Sequence, residues 1–593
     1  MAKNFETKIC QNCKQQFRIE PEDFVFYEKM KVPPPTFCPQ CRLQRRLAWR
    51  NEVGLHRRKC DLCKEGIVAT YPADAPFPVY CRECWWGDAW DGREHGLTYD
   101  WSKPFFSQFF ELQKRVPQIA LQVTNSVNCD FANQIVDCRN CYLIASAGEA
   151  EDCYYGHRIL KSRNIVDCSL VVRCETCYQC VECQGVSYGA YIQNCVDAMD
   201  LSFCYDVRGS EHCFMSSNLR RAAYVFRNKR LGRDEYEKAM REVDLGSYQN
   251  IRQYKKEFAD LVANSIHAYA DMKNCVDSTG QILTNAKSSR NCFRSSDLEN
   301  CSYMLYVDGA KDCMDVSIGT LERGYEISTG GIKSANVLFS TDVWPEVRDI
   351  AYCASCRNGS RDLFGCIGLK KGQYCILNKQ YTEKEYTELL PRIIRHMHEM
   401  PYKDGKGRIY AYGEFFPAEL SHSPYNESQA QDYFSLTKDE AGAERYPWRD
   451  PENRSVGISK HVADLPDHIK DISESVLQEI IGCEHAENCN ERCTAGYRIT
   501  PFELEFYKKR NIALPRLCPN CRNYERLRQQ NPVRLWHGRC MCQWPRSARE
   551  GGYRNRAAHF HGSEKCPNEF ETSYPPESAK LIYCESCYQT EVA

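Results

Sequence analysis

No run of apolar residues in this sequence approaches the roughly 18 that a membrane-crossing helix needs. The start of the chain, Met-Ala-Lys-Asn-Phe-Glu-Thr-Lys, has no apolar secretory core either. The chain therefore reads as cytoplasmic, without a membrane partner. Excess charge is missing too: 78 Lys and Arg stand against 79 Asp and Glu, a formal net charge of −1. That balance excludes a protein whose whole surface coats nucleic acid, so any such contact must be local. Reaction signatures are also absent, since there is no nucleophile elbow, no phosphate-binding loop and no His-Glu-x-x-His pair.

Cysteine is plentiful. The 38 cysteines among 593 residues stay below the roughly 8–10% of small disulfide scaffolds, and such scaffolds are short secreted chains. Four Cys-x-x-Cys pairs open the sequence: Cys10/Cys13, Cys38/Cys41, Cys60/Cys63 and Cys81/Cys84. Two thiolates from one tight knuckle point at one ion, so paired spacing favours zinc over disulfides. The pattern is written again 480 residues later, where Cys13, Cys38 and Cys41 become Cys493, Cys518 and Cys521. Pro21, Phe26, Tyr27 and Pro39 become Pro501, Phe506, Tyr507 and Pro519, and Cys60 becomes Cys540. Beyond Cys540 an insertion lengthens the second copy, after which Cys63, Cys81 and Cys84 return as Cys566, Cys584 and Cys587.

Two ligands in the second copy stay open. Asn490 stands in register with Cys10, so the knuckle is expected to be Cys489 with Cys493, with Cys483 or His485 as substitutes. The insertion carries Cys542, an alternative to Cys540, as well as His559 and His561, read as loop residues. About four structural zinc ions are expected, with consecutive or interleaved pairing undecided.

The run Cys-x-x-Cys…Phe-Tyr…Pro…Cys-Pro-x-Cys-Arg resembles a treble-clef zinc finger and a small bacterial family of probable zinc-binding domains. The whole layout, with zinc ends around a cysteine-studded middle, resembles a group of large uncharacterised bacterial zinc-ribbon proteins. That resemblance implies a fold for a short stretch at each end and no activity.

Arginines follow the second pair in each copy. Arg42, Arg45, Arg46, Arg50, Arg57 and Arg58, with Arg522 and Arg526 in the second copy, lie near Trp49 and Trp536. Such residues can grip phosphates and stack on bases, and they can equally form a solvated helix face.

From about 120 to 228, and again from 264 to 380, Asn-Cys or Asp-Cys recurs at short intervals between apolar runs. Short strands with polar turns are how a solenoid is written, so a mainly β fold with a parallel β-helix in two halves is expected. The halves match at an offset of 150, each ending in Asn-Lys and a helix: Asn228-Lys229 and Asn378-Lys379. Cys174, Cys177, Cys180 and Cys183, each three apart, are expected to pack inward, with a soft metal or an iron–sulfur cluster as alternatives.

The domains read as 1–95, a double zinc module; 100–230, a first block capped by an aromatic helix at 101–117; 231–263, a helical insertion; 264–400, a second block with its terminal helix; 401–482, a connector with a short helix near 467–481; and 483–593, a second double zinc module. The expected function is a non-enzymatic scaffold in which the solenoid holds apart two zinc heads that bind protein or nucleic acid. Metal storage or redox sensing through the excess cysteines is one alternative. A β-helix enzyme acting on a polymer is another.

Overall fold

The computed structural model describes residues 5–450, 457–542, 555–562 and 564–592. The chain is mainly β, with long parallel sheets and few helices. Among the described residues no helix is long and apolar enough to cross a membrane. In the first block successive strands pair in parallel, one coil of a dozen residues apart: Val127 with Arg139, Arg139 with Glu151, Glu151 with Arg163. Each coil gives one strand to each of two sheets, as Asn133 pairing with Ala145 and Ala145 with His157 shows for the second. The second block stacks its strands in one nine-stranded sheet. There Phe293 lies opposite Leu305, and further along Ala335 lies opposite Arg348, where each coil has grown by one residue.

The finer period is three. Every third residue of the first block points inward: Ala132, Ile135, Cys138, Cys141, Ile144, Ala147 and Ala150 are all buried in one core. The residue before each takes the left-handed backbone region, with φ of 53° at Asp137, 52° at Asn140 and 52° at Asp152. Asn and Asp tolerate that region better than other L-residues. They also form ladders from coil to coil: Asn128 Nδ2 donates to Asn140 Oδ1 at 3.2 Å, and Asn140 Nδ2 to Asp152 Oδ1 at 3.1 Å. The repeated Asn-Cys and Asp-Cys dipeptides thus encode a corner followed by a core residue.

Cysteine fits the core for two reasons. The core admits small and medium side chains such as Ala, Cys, Val and Ile, and the thiol can also donate to main-chain carbonyls of its own and the next turn. Cys177 Sγ donates to the carbonyls of Glu175 at 3.4 Å and Val186 at 3.5 Å, and Cys141, Cys153, Cys174, Cys195 and Cys301 repeat the geometry. Serine fills the same slot at Ser162, whose Oγ donates to the Leu160 carbonyl and accepts from the Cys174 N–H.

Each block closes on the asparagine of its Asn-Lys pair. Asn228 Oδ1 accepts from the Ser217 N–H at 2.8 Å, and Asn378 Oδ1 from the Ile367 N–H at 2.7 Å. Helices Arg233–Arg241 and Tyr248–Asn264 follow the first block, and Glu383–Glu399, with its Thr382/Glu385 capping box, follows the second. The expected helix at 467–481 is instead two 3-10 turns, Ile469–Asp471 and Glu474–Gln478. Residues 401–450 pack through aromatics, with Phe416 against Trp49 and Phe109.

Two expectations about arrangement are corrected. The aromatic helix, Phe105–Gln113, does not cap the block that follows it: Phe105 packs on Tyr352 and Phe364 of the second block. The terminal modules are not held apart. The N-terminal module lies on the second block, where Tyr27 meets Tyr325, and the C-terminal module on the first, where Tyr507 meets Tyr178. The modules also touch each other, Gln40 Nε2 donating to the Val533 carbonyl at 3.0 Å.

Replacing an inward cysteine tests the slot. Cys177→Ser keeps a small donor in place and is expected to lower the thermal midpoint little. Cys177→Leu overpacks the coil at a cost of about 1–3 kcal/mol, giving the larger shift in a melt followed by circular dichroism.

Candidate metal centres and the arginine clamps

The sulfurs of Cys10, Cys13, Cys38 and Cys41 lie within 4.8 Å of one another, as do those of Cys60, Cys63, Cys81 and Cys84. Ligands therefore group consecutively in the N-terminal module, without interleaving. Tetrahedral thiolates at about 2.3 Å from an ion stand roughly 3.8 Å apart. Cys13 to Cys38 is 3.7 Å and Cys63 to Cys81 is 3.9 Å, so both quartets fit one ion each. All 38 cysteines are free thiols.

A shared local design builds the quartets. A hairpin delivers the first cysteine, and the N–H of the third, at a helix start, points at its sulfur: Cys38 N to Cys10 Sγ at 3.2 Å and Cys81 N to Cys60 Sγ at 3.2 Å. Such donors favour thiolate. Burial pushes the Cys60 thiol up, but the N–H groups of Cys81, Cys63 and Leu62 outweigh it and bring it down to about 7.

The same signature identifies the first ligand of each C-terminal site. Cys518 N donates to Cys483 Sγ at 3.3 Å, and Cys584 N to Cys540 Sγ at 3.2 Å. The quartets are Cys483, Cys493, Cys518 and Cys521, then Cys540, Cys566, Cys584 and Cys587. Cys483, one of the two substitutes for Cys489, is the cysteine that completes this quartet with Cys493. The reason is the hairpin: Gly482 pairs with Gly496 and places Cys483 at its end, as Ile9 paired with Gln16 places Cys10. Cys489 lies in the loop between, its sulfur 3.8 Å from that of Cys521. Cys542 joins His561, Cys566 and Cys587 in a second, overlapping set, so His561 stands among donors where a plain loop residue was expected. His559 pairs instead with Glu591 at 2.8 Å.

The arginines expected to meet nucleic acid turn inward. Arg42, on helix Pro39–Leu47, places Nε and Nη2 each 2.8 Å from Asp315 Oδ2, and Arg46 Nη1 reaches Asp315 Oδ1 at 2.9 Å. Arg45 pairs with Glu326 at 2.9 Å and Glu414 at 3.0 Å. On helix Pro519–Leu527, Arg522 and Arg526 both reach Asp167 at 3.1 Å. Arg46 Nε donates to Ser317 Oγ and Arg526 Nε to Ser169 Oγ, so the second arginine of each clamp is held alike, whereas Arg42 meets its aspartate through Nε and Nη2 and Arg522 through Nη1. Burial alone would push the Arg42 guanidinium down; the Asp315 carboxylate overrides it and holds it well above its usual range.

Arg50 is also buried, paired with Glu52, and Arg58 is bound to Asp61 at 2.7 Å and to the Pro72 carbonyl. Arg57 alone of the eight is exposed, over the ring of Phe131. Trp49 is buried, so it offers no face to a base. Sequence reasoning missed the clamp acceptors Asp315, Glu326 and Asp167. Asp167 and Asp315 sit 148 residues apart, close to the 150 that relates the two blocks, and that pairing was the available signal.

The coil cysteines Cys174, Cys177, Cys180 and Cys183 lie within the core, at most 2% exposed, each sulfur donating to main-chain carbonyls.

No family model matches the chain, and no curated protein does. A solved structure described as a putative acetyltransferase from Desulfovibrio desulfuricans G20 is similar over 50% of this chain and 84% of its own, at 12% identity and a TM-score of 0.09. A likeness that slight carries no argument.

Removing one clamp carboxylate leaves two buried guanidinium groups short of their acceptor, a loss of about 3–5 kcal/mol. Asp315→Ala is expected to free the N-terminal module and leave the C-terminal one docked, and Asp167→Ala the reverse. Limited proteolysis with terminal mapping reads which module becomes cleavable.

Proposed function

We propose that this protein is a non-enzymatic zinc-stapled scaffold, in which treble-clef modules at both ends lock two parallel β-helical blocks into one body that engages a protein partner. The observation that carries this reading is the pair of buried arginine clamps. In each terminal module the first of the two candidate sites starts a helix whose arginines seat on a coil carboxylate, so that metal site acts by fixing the scaffold. Zinc is the favoured ion because four cysteine donors at tetrahedral spacing form a closed shell, with no open position for water or substrate.

A protein partner suits the outer surface better than nucleic acid. The exposed edge of the first block alternates in sign, Arg139 with Glu151 and Arg163 with Glu175, and nearby Val136 and Leu160 are exposed. A mixed ladder beside apolar side chains gives no run of positive charge for phosphates to follow. The carboxylates that converge in the interior, Asp315, Glu326 and Glu414, each face arginine, which argues against an acid–base pair. Storage or sensing through the coil cysteines is disfavoured by the commitment of their thiols to carbonyls. Extra donors in the C-terminal module keep a metal-handling role as the second reading.

Chelation tests the scaffold. Because the clamps couple metal sites to coils, a zinc chelator is expected to lower the melting midpoint of the β signal along with that of the modules. Coils that melt at an unchanged temperature after complete metal removal overturn the stapling reading. Purified protein is expected to bind single-stranded RNA weakly at physiological salt, measured by fluorescence anisotropy.

A further inference from the structure

The last module brings together more metal donors than one ion can use. Cys540, Cys566, Cys584 and Cys587 form one set, and Cys542, His561, Cys566 and Cys587 another, all donor atoms of each set lying within 4.8 Å. The sets share Cys566 and Cys587, whose sulfurs are 3.8 Å apart. Two tetrahedra that share an edge require four terminal and two bridging donors. The module supplies those six.

His561 is set up to serve as a ligand. Its Nδ1 lies 2.7 Å from the Glu564 carbonyl, which can only accept, so Nδ1 carries the proton and Nε2 keeps its lone pair. Nε2 faces Cys542 Sγ at 3.2 Å and Cys587 Sγ at 3.5 Å. Charge agrees: five thiolates and a neutral imidazole around two dications leave −1, whereas four thiolates around one leave −2. The N-terminal copy is an internal contrast, because Leu62 stands in register with Cys542 and the insertion that carries His561 is missing there.

We infer that the C-terminal module holds two zinc ions bridged by Cys566 and Cys587, one completed by Cys540 and Cys584 and the other by Cys542 and His561. This rests on the reading that the terminal modules take zinc. Native mass spectrometry of the zinc-loaded full chain is expected to show one ion fewer in the variant Cys542→Ser/His561→Ala than in the wild type. An equal count in both overturns the bridged pair and leaves the zinc reading standing; a wild-type chain that binds no zinc overturns that reading as well. If the variant loses more than one ion because the module unfolds, 113Cd resonance on the cadmium-loaded wild-type chain decides. Two signals split by mutual cadmium coupling support the bridge, and the absence of any coupled pair overturns it.

Discussion

Burying a guanidinium costs several kcal/mol unless a carboxylate meets it with good geometry, and this molecule makes that demand at both of its arginine helices. The acceptors come from the coils, at Asp315 and Asp167, while the donors come from helices that begin at cysteine knuckles. Neither half is tolerable alone in the arrangement seen. A helix not fixed at its start would leave the arginines in water, and a coil without its module would leave its carboxylate there as well. Ligand geometry, helix direction and coil register are therefore one linked constraint.

That constraint is met twice, because the chain carries two copies of the module and two of the block and seats them crosswise. The module at the start seats on the second block and the module at the end on the first, with Tyr27 on Tyr325 answered by Tyr507 on Tyr178. Further out the correspondence persists: Lys370 donates to the carbonyls of Trp85 and Gly87, and Arg220 to the hydroxyl of Tyr588. The blocks lie against each other through Arg294 with Glu182 and Arg158 over Tyr306. An approximate internal twofold relation results, with both modules drawn to the same middle.

Much of this was legible in the residues, and the losses have physical causes. The cysteine quartets could be read because knuckle spacing and a long-offset repeat are plain signals; the choice between Cys489 and Cys483 stayed open, since a longer step to Cys493 replaced the usual knuckle. Asn-Cys and Asp-Cys announced a coil but concealed its three-residue phase, because Cys, Ala, Val, Ile, Ser and Gly all serve inward and cysteine alone keeps that interval only from Cys174 to Cys183 and at a few other pairs. The arginines were misplaced for a different reason. A run such as Arg42, Arg45 and Arg46 has the same appearance whether it faces water or buried acids, and its acceptors lie in a distant block, where no local pattern points to them.

Crossed seating also sets an order on how the molecule can be made. Arg42 leaves the ribosome 273 residues ahead of Asp315, which at about 5–20 residues per second is a wait on the order of tens of seconds. Asp167 waits longer still for Arg522. Through that interval each nascent half carries unmatched charge on a surface meant for its interior. This keeps each early intermediate hydrated and defers its closure until the matching residues have emerged.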